Sequence, residues 1–251
     1  MKTIRKSRLS GIAAVVMAMS FFSCEDHQEI VQFRELAVTP GSILCSDGRA
    51  VSYDDYRDDM DGVAVIVRTG TADDDYRFIA IGMKDIGSYP YVRKDGDDIE
   101  EFFDNGAGTD VNAFDGKENT AAMISQEYVK EKKVTGQDSE GNGFSYSVYE
   151  TLSFPAADAA SAYMSGKMQG WHLPSCGEWL AVFTQRETVM RSLRLIGGDW
   201  VDEQGWYQSS TQDGASKETV SYYNLMVSPS GTSKGTMKTQ DGPVRPFITI
   251  K

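Results

Sequence analysis

Two histidines, three cysteines and 37 acidic side chains hold most of the reactive chemistry of this 251-residue chain. Hydrolysis by a Ser or Cys nucleophile needs a positioned base. His27 lies in the N-terminal approach, which leaves His172 as the one imidazole of the folded part. It stands between Trp171 and Leu173, two core-type residues, and reads as a structural histidine. No P-loop or Gly-x-Gly-x-x-Gly occurs. His172 and Cys176 are four apart, but Pro174 between them prevents a shared helical face, so no metal pair is expected. Asp54, Asp55, Asp58, Asp59 and Asp61 crowd before Gly62. An EF-hand frame with Gly62 at its sixth position puts Arg57 first and Arg68 last, where carboxylates belong. Asp138 to Gly143 fits the first half of such a loop but reaches Tyr149 at the twelfth position, so it reads as a hairpin turn. The expectation is no catalytic residue, no metal and no cofactor.

Binding chemistry is better represented. Asp199, Trp200, Asp202, Trp206, Tyr222, Tyr223 and Asn224 bring aromatic rings close to carboxylates and an amide. That combination suits a sugar or a protein epitope. The competing reading is that these rings pack inside the fold.

The net charge is −12, with a pI near 4.7. Such a balance argues against nucleic acid, which needs clustered Lys and Arg. Residues 1–23 read as an export signal: Lys2, Arg5, Lys6 and Arg8, then a twelve-residue apolar run over 11–22, too short to span a bilayer. Phe21-Phe22-Ser23-Cys24 resembles a bacterial lipobox, which makes Cys24 the lipid attachment site and the anchor the only membrane contact. Removing 23 residues and their four basic side chains leaves 228 residues with 21 basic against 37 acidic groups, a formal −16. Glu25-Asp26 resembles an export tag of surface-exposed lipoproteins, which implies an outer-membrane or cell-surface location. Residues 24–39 read as a tether. Outside the cytoplasm, the remaining pair Cys45 and Cys176 fits either a disulfide or two separately buried thiols.

The elements that position these groups begin with strands. Ser42–Leu44, the continuous apolar run 63–67 and residues 77–82 read as strands, the last two as a hairpin across the polar turn 69–75. A helix is expected over 117–131, with Ala121, Ile124 and Tyr128 inward. Residues 132–150 suggest a hairpin or long loop. A second helix starts at Pro155, with Ala157, Ala160 and Met164 inward. The clearest begins at Ser175, where Ser175 and Glu178 form a capping box, and runs to Gly197-Gly198. Strand-like runs at 206–210, 222–227 and 244–250 follow. Strands at both ends with helices between give an α+β pattern.

Five segments in order, Gly41–Gly48, Asp115–Ala121, Gly170–Trp179, Trp206–Thr211 and Val244–Phe247, resemble the C-type lectin-like domains of bacterial surface lipoproteins and fimbrial tip-like proteins. The resemblance spans about 200 residues, essentially 40–251. It implies a small twisted antiparallel sheet, two or three helices, a loop-rich face, and pairing of the first and last strands. It also implies a non-enzymatic binding or adhesion module for a glycan or protein; an accessory subunit of an outer-membrane complex is the alternative. Calcium-dependent lectins carry Glu-Pro-Asn or Gln-Pro-Asp with Trp-Asn-Asp, and none is present here. Formylglycine-generating enzymes share this broad fold and use paired cysteines, but Cys45 and Cys176 stand in no matching context. Arg245, in an apolar strand, requires an acidic partner or backbone carbonyls.

Overall fold

The computed structural model describes residues 38–95, 105–125, 128–202, 205–216, 219, 223–228 and 230–251. Cys24, the signal and most of the tether lie outside them, as does Tyr222. The main sheet takes β1 (Ile43–Cys45), β2 (Ala50–Val51), β3 (Gly62–Thr69), β4 (Phe78–Gly82), β9 (Trp171–His172) and β14 (Phe247–Ile250). Their order is β2-β1-β3-β4-β14-β9, and every pairing is antiparallel. The closing strand β14 therefore pairs with β4 and β9, and not with the first strand as expected. β3 and β4 form the foreseen hairpin, whose pairing fills the edge that β1 leaves open.

Side chains alternate across this sheet. Ile43, Val65, Ile79, Ile81 and Phe247 face a core shared with two helices, α3 (Cys176–Thr184) and α4 (Arg186–Leu195). Leu44, Ala64, Ile66, Phe78, Ala80 and Ile248 face the other way, under Trp171, Tyr163 and Met168. A sheet covered on both faces needs apolar residues at consecutive positions, which is why 63–67 is a continuous run. Val38 packs on this second layer, so the fold begins ahead of residue 40. Trp179 is the hub of the first layer. Its ring lies 4.6 Å from Tyr207 and 5.1 Å from Phe247, and its Nε1–H donates to the Gln208 carbonyl at 3.1 Å.

Two short strands, β5 (Ser88–Pro90) and β6 (Arg93–Asp95), break the irregular stretch after β4. The helix expected over 117–131 is only α1 (Gly116–Ile124). Its inner face is Gly116, Asn119, Thr120 and Met123, while Ala121 and Ile124 are exposed. Tyr128 opens β7 (Tyr128–Gln137), which pairs residue for residue with β8 (Gly143–Ser153). Ladder pairing over ten residues overrides the helical spacing. β6 adds to the free edge of β8. The turn joining β7 to β8 is held by Asp138, whose Oδ1 accepts the Glu140 and Asn142 N–H groups at 3.0 and 2.8 Å.

The next helix, α2 (Pro155–Ala162), buries Ala156, Ala157 and Ala160, but Met164 lies beyond its end and is exposed. The long helix foreseen after Ser175 breaks at Gln185, so four helices are present among the described residues where two or three were expected. No Pro or Gly marks the break; it lets α3 reach β10 (Tyr207–Gln212) and β11 (Tyr223–Val227) while α4 turns back over β3. β12 (Ser233–Met237) completes a three-stranded sheet β10-β11-β12, and β13 (Asp241–Pro243) pairs with β5. The described part is thus α+β with antiparallel sheets.

Candidate functional site

His172 and Glu178 are buried together. His172 Nε2 lies 3.1 Å from both Glu178 carboxylate oxygens. The same carboxylate accepts the Ser175 N–H at 2.9 Å, and Ser175 Oγ accepts the Glu178 N–H, closing the capping box. Ser175 Oγ also donates to the Ala113 carbonyl at 2.7 Å. A Cβ on Gly116 would sit 2.2 Å from Glu178 Oε2, so α1 approaches this cap as closely as glycine allows. Beside the cap, burial and then the nearby Glu178 push the Asp115 carboxyl above its usual range, against hydrogen bonds that pull it down. This cluster ties β9, α1 and α3 together.

Cys45 and Cys176 are both free and buried in the first core layer, which is the second of the two readings. Burial pushes the Cys176 thiol upward, and its Sγ lies 3.4 Å from Ser209 Oγ. Among the described residues, no group of three His, Cys, Asp or Glu is placed to hold a metal ion.

The residues expected to form one binding face are divided. Asn224 is fully buried, its Nδ2 donating to Gln208 Oε1 at 2.8 Å, so it is a core amide and not a ligand contact. Tyr223 is exposed at the start of β11, opposite Met237. Trp206 is half-buried beyond the far end of that strand, under the Lys234 ammonium at 4.2 Å. Four strand residues separate the two ends, roughly 13 Å. Asp199, Trp200 and Asp202 lie on the loop after α4, all exposed. That loop is pinned by its backbone: the Asp199 N–H donates to the Met83 carbonyl, the Asp199 carbonyl accepts from Arg245, and the Asp202 N–H donates to Tyr207 Oη.

Trp200 is the member of the set that lines a large concavity. An open groove of about 1100 Å³ runs along α4, walled by Tyr53, Phe183, Glu187, Leu195 and Trp200. Arg186, Arg191 and Arg194 all line it. Two of these guanidiniums lie on rings: Arg191 over Tyr53 at 3.9 Å and Arg194 over Trp200 at 5.1 Å. Among the described residues, Arg191 and Arg194 make no ion pair. A second concavity of about 350 Å³ shares Thr184 and Gln185 with the first, at the α3–α4 break. It repeats the pattern, with Arg68 over Phe114 at 3.9 Å.

Core packing anchors the helix beneath the groove. Val189, Met190 and Leu193 enter the core, and Ser192 Oγ donates to the Gly41 carbonyl at 2.6 Å. Gly41 has φ +91°, and a Cβ there would meet Thr188 Cγ2 at 2.2 Å. At the other end, Gly197 in left-handed conformation closes a Schellman motif, with Gly198 N–H to Leu193 O and Gly197 N–H to Arg194 O. That motif sets Trp200 beside Arg194. Tyr53, Arg68, Phe114 and the three α4 arginines were not read from the sequence as binding-site residues. One signal was available: residues 186–194 carry three arginines against a single acid in an otherwise acidic chain.

The chain matches no known family model, no curated protein and no solved structure. Among the described residues no helix is long and apolar enough to cross a membrane.

Proposed function

We propose that this chain is an envelope-anchored, surface-exposed lipoprotein with a C-type lectin-like domain, acting as a non-enzymatic binding or adhesion module. The observation that carries the reading is the α4 groove. It is large, open and lined by aromatic rings and polar side chains on a helix that its core contacts hold still. Such a surface suits a ligand laid across it, a glycan before others, because rings cover sugar faces while charged groups fix orientation. Export and lipidation at Cys24 place that groove outside the cell, where such ligands are met. The test is a glycan array probed with the full chain, exported and solubilised in detergent. Saturable binding to a defined set of glycans supports the module; no binding on an array of neutral and acidic glycans overturns its glycan-binding form.

A second reading, an accessory subunit of an outer-membrane complex, is favoured by the β7–β8 hairpin. Phe144, Tyr146, Val148 and Tyr149 are exposed on it, with Phe144 and Tyr146 stacked at 5.8 Å. Exposed aromatic clusters of this kind are typical of protein contacts. Co-purification of a stoichiometric envelope partner, lost on Tyr146→Ser, supports this reading over a free adhesin.

A further inference from the structure

We infer that the α4 groove takes a carboxylate-bearing oligosaccharide, a uronate- or sialate-type chain, through Arg191 and Arg194 held on Tyr53 and Trp200. The inference rests on the binding reading above and specifies its ligand. Its first support is charge. The mature chain is formally −16, yet the groove gathers Arg191 and Arg194 with Glu187 on its own wall and Asp199 in the adjoining concavity. Cations concentrated in one concavity of an acidic protein mark the place where a negative group is received.

The second support is geometry. The Arg191 and Arg194 guanidinium carbons lie over the Tyr53 and Trp200 rings at 3.9 and 5.1 Å, contacts that use the ring face and leave N–H groups at the guanidinium edge for a ligand. That edge matches the two oxygens of a carboxylate. Stacking also fixes the long arginine side chain before the ligand arrives, so less rotamer entropy is lost on binding. Arg191 and Arg194 are three apart on α4 and therefore neighbours on one face. Each brings its own ring from a different part of the chain, Tyr53 from the loop after β2 and Trp200 from the loop after α4.

The third support is extent. The neighbouring concavity with Arg68 on Phe114 joins the main groove at Thr184 and Gln185. From Arg186 to Arg194, α4 spans about 12 Å at helical rise, and the second concavity extends the surface beyond it. That length accommodates several linked rings rather than a single sugar. The surrounding negative field selects against densely charged polyanions, whose remaining charges would lie over acidic surface. A saccharide that spaces its carboxylates between neutral hydroxyls meets the arginines with the least repulsion.

The test uses the full chain in detergent and titration calorimetry with an oligogalacturonate, the same oligomer after reduction of its carboxyls to alcohols, a heparin-type sulfated oligosaccharide and single-stranded polythymidylate. The expected result is binding of the oligogalacturonate that weakens at least tenfold on carboxyl reduction. Arg191→Gln with Arg194→Gln weakens it at least tenfold, with an unchanged circular dichroism spectrum. Arg191→Lys, which keeps charge but loses the fork, weakens it several-fold. Equal affinity for the reduced oligomer, or undiminished affinity in the double variant, overturns the carboxylate assignment while leaving a glycan-binding module standing. Tighter binding of the sulfated oligomer or of polythymidylate also overturns it. Failure of every saccharide, here and on the array, sinks the glycan-binding reading itself.

Discussion

Arg245 Nε lies 2.6 Å from Asp85 Oδ1, and the Arg245 side chain is fully buried while Asp85 keeps a third of its surface. A second guanidinium nitrogen donates to the Asp199 carbonyl at 3.0 Å. One cation thus couples the start of the closing segment to the loop after β4 and to the loop that carries Trp200. Removing its counter-ion leaves a buried charge, which is far costlier than losing a surface pair. Asp85→Ala is therefore expected to cost about 3 kcal/mol. Asp85→Ala combined with Arg245→Met recovers at least half of that loss, because an apolar chain of similar length needs no partner. Urea denaturation of the two variants checks this; equal losses would show that the charge pair is not the cause.

The cap of α3 is expected to show a graded response. Ser175→Ala removes the cap hydroxyl and costs about 1 kcal/mol. Glu178→Ala costs more, about 2–3 kcal/mol, because His172 and the Ser175 N–H then lose a buried acceptor. Gly116→Ala destabilises as well, since its methyl would meet Glu178 Oε2 at 2.2 Å and the Ser175 nitrogen at 2.7 Å. Thermal melts of the three variants should rank Ser175→Ala as the mildest. Equal melting temperatures for Ser175→Ala and Glu178→Ala would count against the buried His172–Glu178 contact.

Tyr207 gives the fold an alkaline limit. Burial first, and then the Asp85 charge, push its phenol from an ordinary 10.0 up to about 12. The unfolded chain therefore loses this proton first. Stability from the group is complete below pH 10 and is lost as pH rises through about 12. Urea midpoints measured against pH should fall in that window, and Tyr207→Phe should flatten the fall. The same slope in wild type and variant would rule the group out. Cys176, raised by burial in the same direction, needs a Cys176→Ser control.

Both core thiols are expected to resist modification in the native state. Burial raises Cys45 and Cys176, so little reactive thiolate forms near neutral pH. Mass spectrometry after iodoacetamide should find neither labelled natively and both labelled in urea without reductant. A mass two units lower, with no labelling in urea, would establish a bridge instead.

The exposed hairpin separates stability from function. Phe144→Ser and Tyr149→Ser change residues whose side chains touch solvent, so each should alter unfolding free energy by less than about 0.5 kcal/mol. A larger loss would mean that the hairpin packs on the body.

Much of this molecule is local. The continuous Val63–Val67 run, the Ser175–Glu178 cap, Pro155 opening a helix and Gly197-Gly198 closing one are set by neighbouring residues, whose preferences act over a few positions. The acidic balance is likewise a property of the chain itself, and Arg245's need for a partner follows from a charge in an apolar strand. What depends on distant partners was not legible. Tyr128 joins a strand because β8 offers it a ladder, and after the break at Gln185 α4 packs on β3 while α3 also reaches β10 and β11. Asn224 is satisfied in the core because Gln208, paired with Met226 across the ladder, accepts its amide N–H. The groove is the clearest case: two arginines on one helix meet Tyr53 and Trp200 from two separate segments. The sequence shows the cations, but only tertiary packing decides which ring each one lies on.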